Sequence, residues 1–145
     1  MFTRADIEAV LAAYVDPQTI ESVILDDCAL TSLPVGLARF QNIYSLSLRY
    51  NAISARMLRG VALPKLTSLS LTAGRQLHRD DVAGFPALEV ISVENGPLEE
   101  LDPDIIEVCP KLRRVLLGKT PLSKDVIKLS ALRARWSDVE LLAME

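Results

Sequence analysis

The chain has 145 residues, 16 Lys and Arg against 19 Asp and Glu, and a formal net charge of −3, a balance that fits one compact soluble domain and excludes a polybasic or disordered chain. Half of it is hydrophobic, 24 residues are Leu and only 5% are aromatic, so the core is built largely from one residue type. No apolar run approaches the roughly 18 residues of a membrane span, residues 1–6 carry two charges rather than opening a signal peptide, and Cys28 and Cys109 are too few for a disulfide scaffold; a cytoplasmic protein without membrane association is expected.

The first element is a helix over residues 3–15. Ile7, Val10, Leu11, Tyr14 and Val15 fall on one face at helical spacing, Thr3 with Asp6 three residues on forms a capping box, and Asp16-Pro17 ends the run. Beyond it the chain repeats itself. Residues 20–25, 43–48, 66–71, 88–93 and 112–117 each carry aliphatics at their first, fourth and sixth places, and their starts lie 23, 23, 22 and 24 residues apart. Each segment alternates apolar and other side chains, as Leu66-Thr67-Ser68-Leu69-Ser70-Leu71 does, which is the period of a strand with one buried face. A sixth copy, Val139, Leu142 and Met144, begins 27 residues after the fifth. Three residues before the later starts sit Phe40, Leu63, Phe85, Cys109 and Trp136, and Pro64, Pro86 and Pro110 follow three of them.

Between the strands, residues 54–61, 80–84, 103–108 and 124–136 lose the alternation and carry Met57, Val82, Ile106, Val126, Leu129 and Leu132 at spacings suited to short helices, the last of them starting after Ser123. The prolines stop these segments and turn their predecessors to an extended conformation. Strands joined by such crossovers lie parallel, and stacking them buries a face that no single unit could bury alone. For the C-terminal stretch a capping box of Ser137 with Glu140, starting a short helix, competes with the strand; Trp136 and Val139 favour the strand by keeping the repeat register.

This pattern resembles the leucine-rich repeat family, whose motif places Leu at one, four, six and eleven and Asn or Cys at nine. Ile20, Val23, Leu25, Cys28 and Leu30 fit it, as do Ile43, Leu46, Leu48, Asn51 and Ile53. The third copy has Gly74 and Gln76 at nine and eleven, with Leu77 next door suggesting a one-residue bulge, and the last two complete copies keep the aliphatics but carry Gly96 and Thr120 in place of the Asn. The resemblance implies an α/β fold, a right-handed leucine-rich-repeat solenoid with a short curved parallel sheet of about five to six strands. It divides the single domain into a helical cap at 1–19, five repeats at 20–122, and a helix with a truncated repeat at 123–145. It implies that the Asn at nine satisfies backbone groups of adjacent turns. Residues 33–37 resemble the subtype with an extended return, while the later returns are more helical.

No catalytic, cofactor-binding or metal-binding residue is assigned. His78, the one histidine, lies beside Arg79, Asp80 and Asp81 without the further ligands or nucleophile that metal or acid–base chemistry needs. Cys28 fills the ninth place as a small hydrophobe, next to Asp26 and Asp27, which oppose a thiolate; Cys109 sits at a core-facing place. The acids Glu94, Glu99, Glu100, Asp102, Asp104 and Glu107 do not have the spacing of a calcium loop. Residues 111–135 hold eight Lys or Arg and one acid, Asp125, but no aromatic is interleaved among them, which weighs against nucleic acid.

The places between the core aliphatics face the other side of the sheet. They form a field of small hydroxyls, including Ser47, Ser70, Thr72 and Ser92, flanked by Tyr44, Arg49 and Tyr50 on one side and by Glu94, Asn95 and Arg114 on the other. Tyr and Arg are the residue types that most often anchor interfaces, so these ten residues are the candidate protein-binding surface. Asp26 with Arg49, and Glu89 with Arg113, occupy equivalent columns and are expected to pair across the ladder. The resemblance implies a non-enzymatic protein-binding module that uses its concave face. An immunity protein or adaptor that blocks or recruits a toxin or effector is the alternative.

Overall fold

A computed structural model describes residues 3–72 and 74–143. Helix α1 (Arg4–Ala13) opens with the expected capping box: Thr3 Oγ1 accepts from the Asp6 N–H at 3.2 Å, and the Asp6 carboxylate accepts from the Thr3 N–H at 2.8 Å. Of the expected apolar face only Ile7 and Leu11 are buried, whereas Val10, Tyr14 and Val15 are exposed. The helix stops at Ala13 with Tyr14 already extended, and what covers it is one 3-10 turn (Val35–Arg39), wide enough for a single i, i+4 pair. Polar bonds complete the docking. Glu8 accepts from the Val35 and Gly36 N–H groups, and the Arg39 guanidinium donates to the Leu11 and Tyr14 carbonyls. This turn also replaces the extended return expected at residues 33–37.

Strands β1 (Ser22–Ile24), β2 (Ser45–Leu48), β3 (Ser68–Leu71), β5 (Val90–Ser92), β7 (Arg114–Leu116) and β8 (Glu140–Leu142) form one parallel sheet in that order. Ser22, Ser45, Ser68, Val90, Arg114 and Glu140 stand in one register, so the third place of every repeat lies beside its neighbours. The fourth place supplies the stack Val23, Leu46, Leu69, Ile91, Val115 and Leu141, all buried. Burying one such aliphatic contributes about 1.5–3 kcal/mol. A separate two-stranded parallel ladder joins β4 (Gln76–Leu77) to β6 (Glu100–Leu101), and it places Leu77, the residue beside the eleventh place, in the core opposite Leu101.

The apolar residues three before each strand start close a tight turn. The carbonyls of Phe40, Leu63, Phe85, Cys109 and Trp136 accept from the N–H of Ile43, Leu66, Leu88, Leu112 and Val139 at 3.1–3.4 Å. Val139 therefore does open the sixth copy, but the strand after it runs one residue early. Glu140 pairs with Arg114, so Leu141 takes the core place and Leu142 is turned to the other face. A slip of one residue in a strand exchanges its two faces, and the expected core assignment of Leu142 is corrected to Leu141. Met144 lies outside the described residues. The strand, not the helix capped by Ser137, occupies this stretch.

The return segments are a 3-10 turn (Ala55–Leu58), α2 (Arg79–Val82), α3 (Ile105–Val108), and a 3-10 turn (Leu122–Lys124) leading into α4 (Val126–Arg135). Asp125, not Ser123, caps α4, accepting from the Lys128 N–H at 3.1 Å. Met57 is exposed, since a turn this short buries only one side, and Val126, the first residue of α4, is exposed as well. Two neighbouring returns touch through backbone: Leu63 donates its N–H to the Gly84 carbonyl at 3.0 Å, and a Cβ on Gly84 would lie 1.8 Å from the Val61 carbonyl oxygen.

Candidate interaction face

The sheet's open face is held by a lattice of bonds anchored at the turns. Asn51, buried at the ninth place, accepts from the Cys28 and Leu30 N–H groups, each at 3.0 Å, and donates to the carbonyls of Leu25, Leu48 and Arg49. It thereby ties the first turn to the second. In the fifth repeat Thr120 meets part of the same demand within its own turn, donating to the Leu117 carbonyl and accepting from the Ser123 N–H. At the eighth place the chain turns through the left-handed region: Asp27, Tyr50, Asn95 and Lys119 have φ of 52°, 58°, 62° and 61°. Ala73 shares that place but lies outside the described residues.

These turns present Tyr50, which is 57% exposed, while the bend just before β2 presents Tyr44, 49% exposed; Arg49 and Asn95 are exposed as well. Several hydroxyls of the face are already engaged. Ser47 Oγ donates to Asp26 Oδ1 at 2.6 Å, Ser70 Oγ accepts from the Arg49 guanidinium at 3.4 Å, Thr72 Oγ1 accepts from the Tyr50 N–H at 2.9 Å, and Ser92 Oγ donates to Glu94 Oε1 at 3.1 Å. Ser92 is buried. Arg114 is exposed and pairs with Glu140 at 3.0 Å.

The expected Glu89–Arg113 pair is present at 3.0 Å. The expected Asp26–Arg49 ion pair is not: Asp26 accepts from the Arg49 backbone N–H at 2.8 Å and from Ser47, and the guanidinium turns toward Ser70. The Arg49 N–H is a backbone donor fixed at the end of β2, and a charge-assisted bond to a fixed donor wins over one to a flexible side chain. Ile24, which is 70% exposed on the same face, was missing from the candidate residues. Its fifth-place column could have flagged it, because that column should hold small or polar residues if the face were merely solvated.

The other candidate groups serve the fold. His78 caps α2, its Nδ1 accepting from the Asp80 N–H at 3.2 Å, and its Nε2 lies 3.4 Å from Asp102. Burial pushes the Cys109 thiol up to about 12, and the sulfur lies against the Val82 and Phe85 carbonyls; Cys28 is half-buried. Of the basic residues in 111–135, Arg113, Arg114, Lys128 and Arg135 are in ion pairs with Glu89, Glu140, Glu100, and Asp104 and Glu107, and Arg133 donates to the Leu141 carbonyl. Four of the eight basic residues of this stretch are thus paired with acids of neighbouring repeats. Among the described residues no helix is long and apolar enough to cross a membrane.

No family model matches the chain. It is similar to vasorin of Mus musculus, 27% identical over 121 residues that cover 81% of this chain and 18% of vasorin, and to vasorin of Homo sapiens, 29% identical over 114 residues that cover 74% and 17%. The chain thus spans less than a fifth of the length of these curated relatives. Vasorin contains leucine-rich repeats, and the similarity points to repeats of that type here.

Proposed function

We propose that this protein is a non-enzymatic protein-binding module, a leucine-rich-repeat solenoid that recognises a folded partner through the concave, open face of its six-stranded sheet. One observation carries the reading: Arg49 and Tyr50 follow the C-terminal end of β2 and Tyr44 precedes its start, all three exposed, on a face whose hydroxyls and turns are fixed by hydrogen bonds. Rigid aromatic and Arg anchors over a pre-organised surface lose little entropy on association. The similarity to vasorin supports the same reading. Cys28 and Cys109 are both free thiols, which fits a reducing compartment such as the cytoplasm.

The test is affinity capture from the source cell's extract with the wild-type chain and with the double variant Arg49→Ala, Tyr50→Ala as baits. A partner retained by the first and lost by the second, at unchanged thermal stability of the bait, is the expected result. Equal capture by both would refute the assignment of this face.

A further inference from the structure

The repeat itself defines what each strand offers its predecessor. The fifth-place carbonyls of Ser47 and Leu116 accept from the strand before, from the Leu25 and Val93 N–H groups, and the seventh-place carbonyls of Arg49 and Gly118 accept from Asp27 and Asn95. The second-place N–H groups of Tyr44, Glu89 and Arg113 donate backwards in the same way, to Glu21, Thr67 and Glu89. In the first repeat the corresponding groups are the Glu21 N–H and the carbonyls of Ile24 and Asp26, the last of which accepts from the Cys28 thiol at 3.3 Å. Among the described residues, strand β1 is the edge of the sheet, with β2 as its only neighbouring strand. A row of backbone groups, spaced as in every later repeat, is therefore left without a strand in front of it.

Two further features mark this edge. Ile7, Val10, Leu11, Ile24, Leu25 and Cys28 line an apolar groove of about 190 Å³ between α1 and β1, and Ile24 and Val10 are exposed at its rim. The surroundings are acidic: residues 5–38 contain six acids and no Lys or Arg. Asp16, Glu21 and Asp27 are exposed, and none of the ion pairs among the described residues includes them. Later repeats carry carboxylates too, but there Glu89, Glu99 and Glu140 are matched by Arg113, Arg75 and Arg114 of adjacent repeats.

We propose that the N-terminal edge of the sheet is a second docking site, which takes an extended, Lys- or Arg-bearing segment of a partner protein as an additional parallel strand beside β1. Strand addition draws its affinity from main-chain bonds and its specificity from alternate side chains. Here one set of alternating side chains enters the groove and the other lies beside Glu21, Asp26 and Asp27. An acidic rim selects a basic segment and repels an acidic one. This site adjoins the open face at Ile24 but lies beyond Arg49 and Tyr50 and does not require them.

The experiment uses the full chain and a fluorescent synthetic peptide of alternating Lys and Val, with two controls: the same peptide with Glu in place of Lys, and one N-methylated at alternate residues so that it cannot complete a ladder. Fluorescence anisotropy is expected to show binding of the first peptide alone, weakened about tenfold by Glu21→Lys with Asp27→Lys and unchanged by Arg49→Ala with Tyr50→Ala. Hydrogen exchange at the Glu21 and Ser22 amides should slow on binding. Failure of the basic peptide to bind, equal binding of either control, or loss of binding in the Arg49 and Tyr50 variant would overturn the proposal. So would sedimentation showing that the chain alone forms head-to-tail polymers, because the edge would then be occupied by a second copy.

Discussion

Asn51 is the residue whose removal should cost more than its size suggests. Its carbonyl oxygen is the acceptor for two N–H groups of the preceding turn, at Cys28 and Leu30, and its amide serves the carbonyls of Leu25, Leu48 and Arg49. Asn51→Ala leaves both donors without a protein partner. An orphaned buried donor costs about 1–3 kcal/mol, so two give about 2–6 kcal/mol. Leu30 is 1% exposed, but Cys28 is half-buried and water can reach its side of the turn, which places the loss in the lower half, about 2–4 kcal/mol. The carbonyls add less, because the Arg49 oxygen keeps its bond from the Asp27 N–H. Urea unfolding of the variant, followed by circular dichroism with the m-value checked for change, measures the loss, and hydrogen exchange should show the Cys28 and Leu30 amides losing protection selectively. A variant within about 0.5 kcal/mol of wild type, or one that unprotects the C-terminal repeats as strongly as the first, would refute the claim that this one side chain joins the first two turns.

Two further outcomes follow from the same geometry. Gly84→Ala drives a Cβ to 1.8 Å from the Val61 carbonyl, an overlap that only backbone movement relieves, so the variant should lose the Leu63–Gly84 bond and destabilise by at least about 2 kcal/mol, measured as a fall in the urea midpoint. The carboxyl of Glu8 is held below its ordinary value of 4.5 by the N–H groups of Val35 and Gly36, and that of Asp6 below 3.8 by the backbone and hydroxyl of Thr3. Groups depressed in the folded state contribute stability above their unfolded values and lose it as pH falls through the folded ones. Thermal melts from pH 6 to pH 3 should therefore show α1 loosening below about pH 4.5, and Glu8→Gln should flatten that dependence; an identical pH profile in the variant would dismiss the role of Glu8.

The strands were legible because two periods coincide. Alternation says which side chains are buried, and the repeat says where the alternation restarts, so five strands fall into register from the sequence alone. The sixth failed where those signals part. Leu141 and Leu142 are both Leu, either satisfies an aliphatic place, and only the ladder to Arg114 decides which one enters the core. The cap helix failed for a different reason. Spacing reports which residues share a face but not how wide a partner the face will meet, and a single 3-10 turn covers Ile7 and Leu11 while leaving Val10 out. On the open face the columns could be read, but the bonds between them could not. Asp26 had a guanidinium and a backbone N–H of the same residue, Arg49, to choose between, and it takes the N–H that the strand end holds in place, one residue before the turn at Tyr50.

At Tyr50 the fold and the proposed binding role make different demands. The eighth place of the repeat demands a left-handed backbone, which Asp27 and Asn95 adopt readily and the longer side chains of Tyr50 and Lys119 do not. A bulky residue there costs about 1–2 kcal/mol against glycine; the bond from its N–H to Thr72 holds the turn but would serve any residue. With more than half of the residue exposed, burial of the ring repays little of the strain. A strained position filled by an exposed aromatic is the pattern expected of a residue kept for what it touches outside the chain. Tyr50→Gly should accordingly leave stability unchanged or raise it by up to about 1 kcal/mol, after the added freedom of the unfolded chain is subtracted, while it weakens capture of the partner at the open face. If Tyr50→Gly destabilises the protein by more than about 1 kcal/mol, the ring is a structural element and the case for this anchor fails.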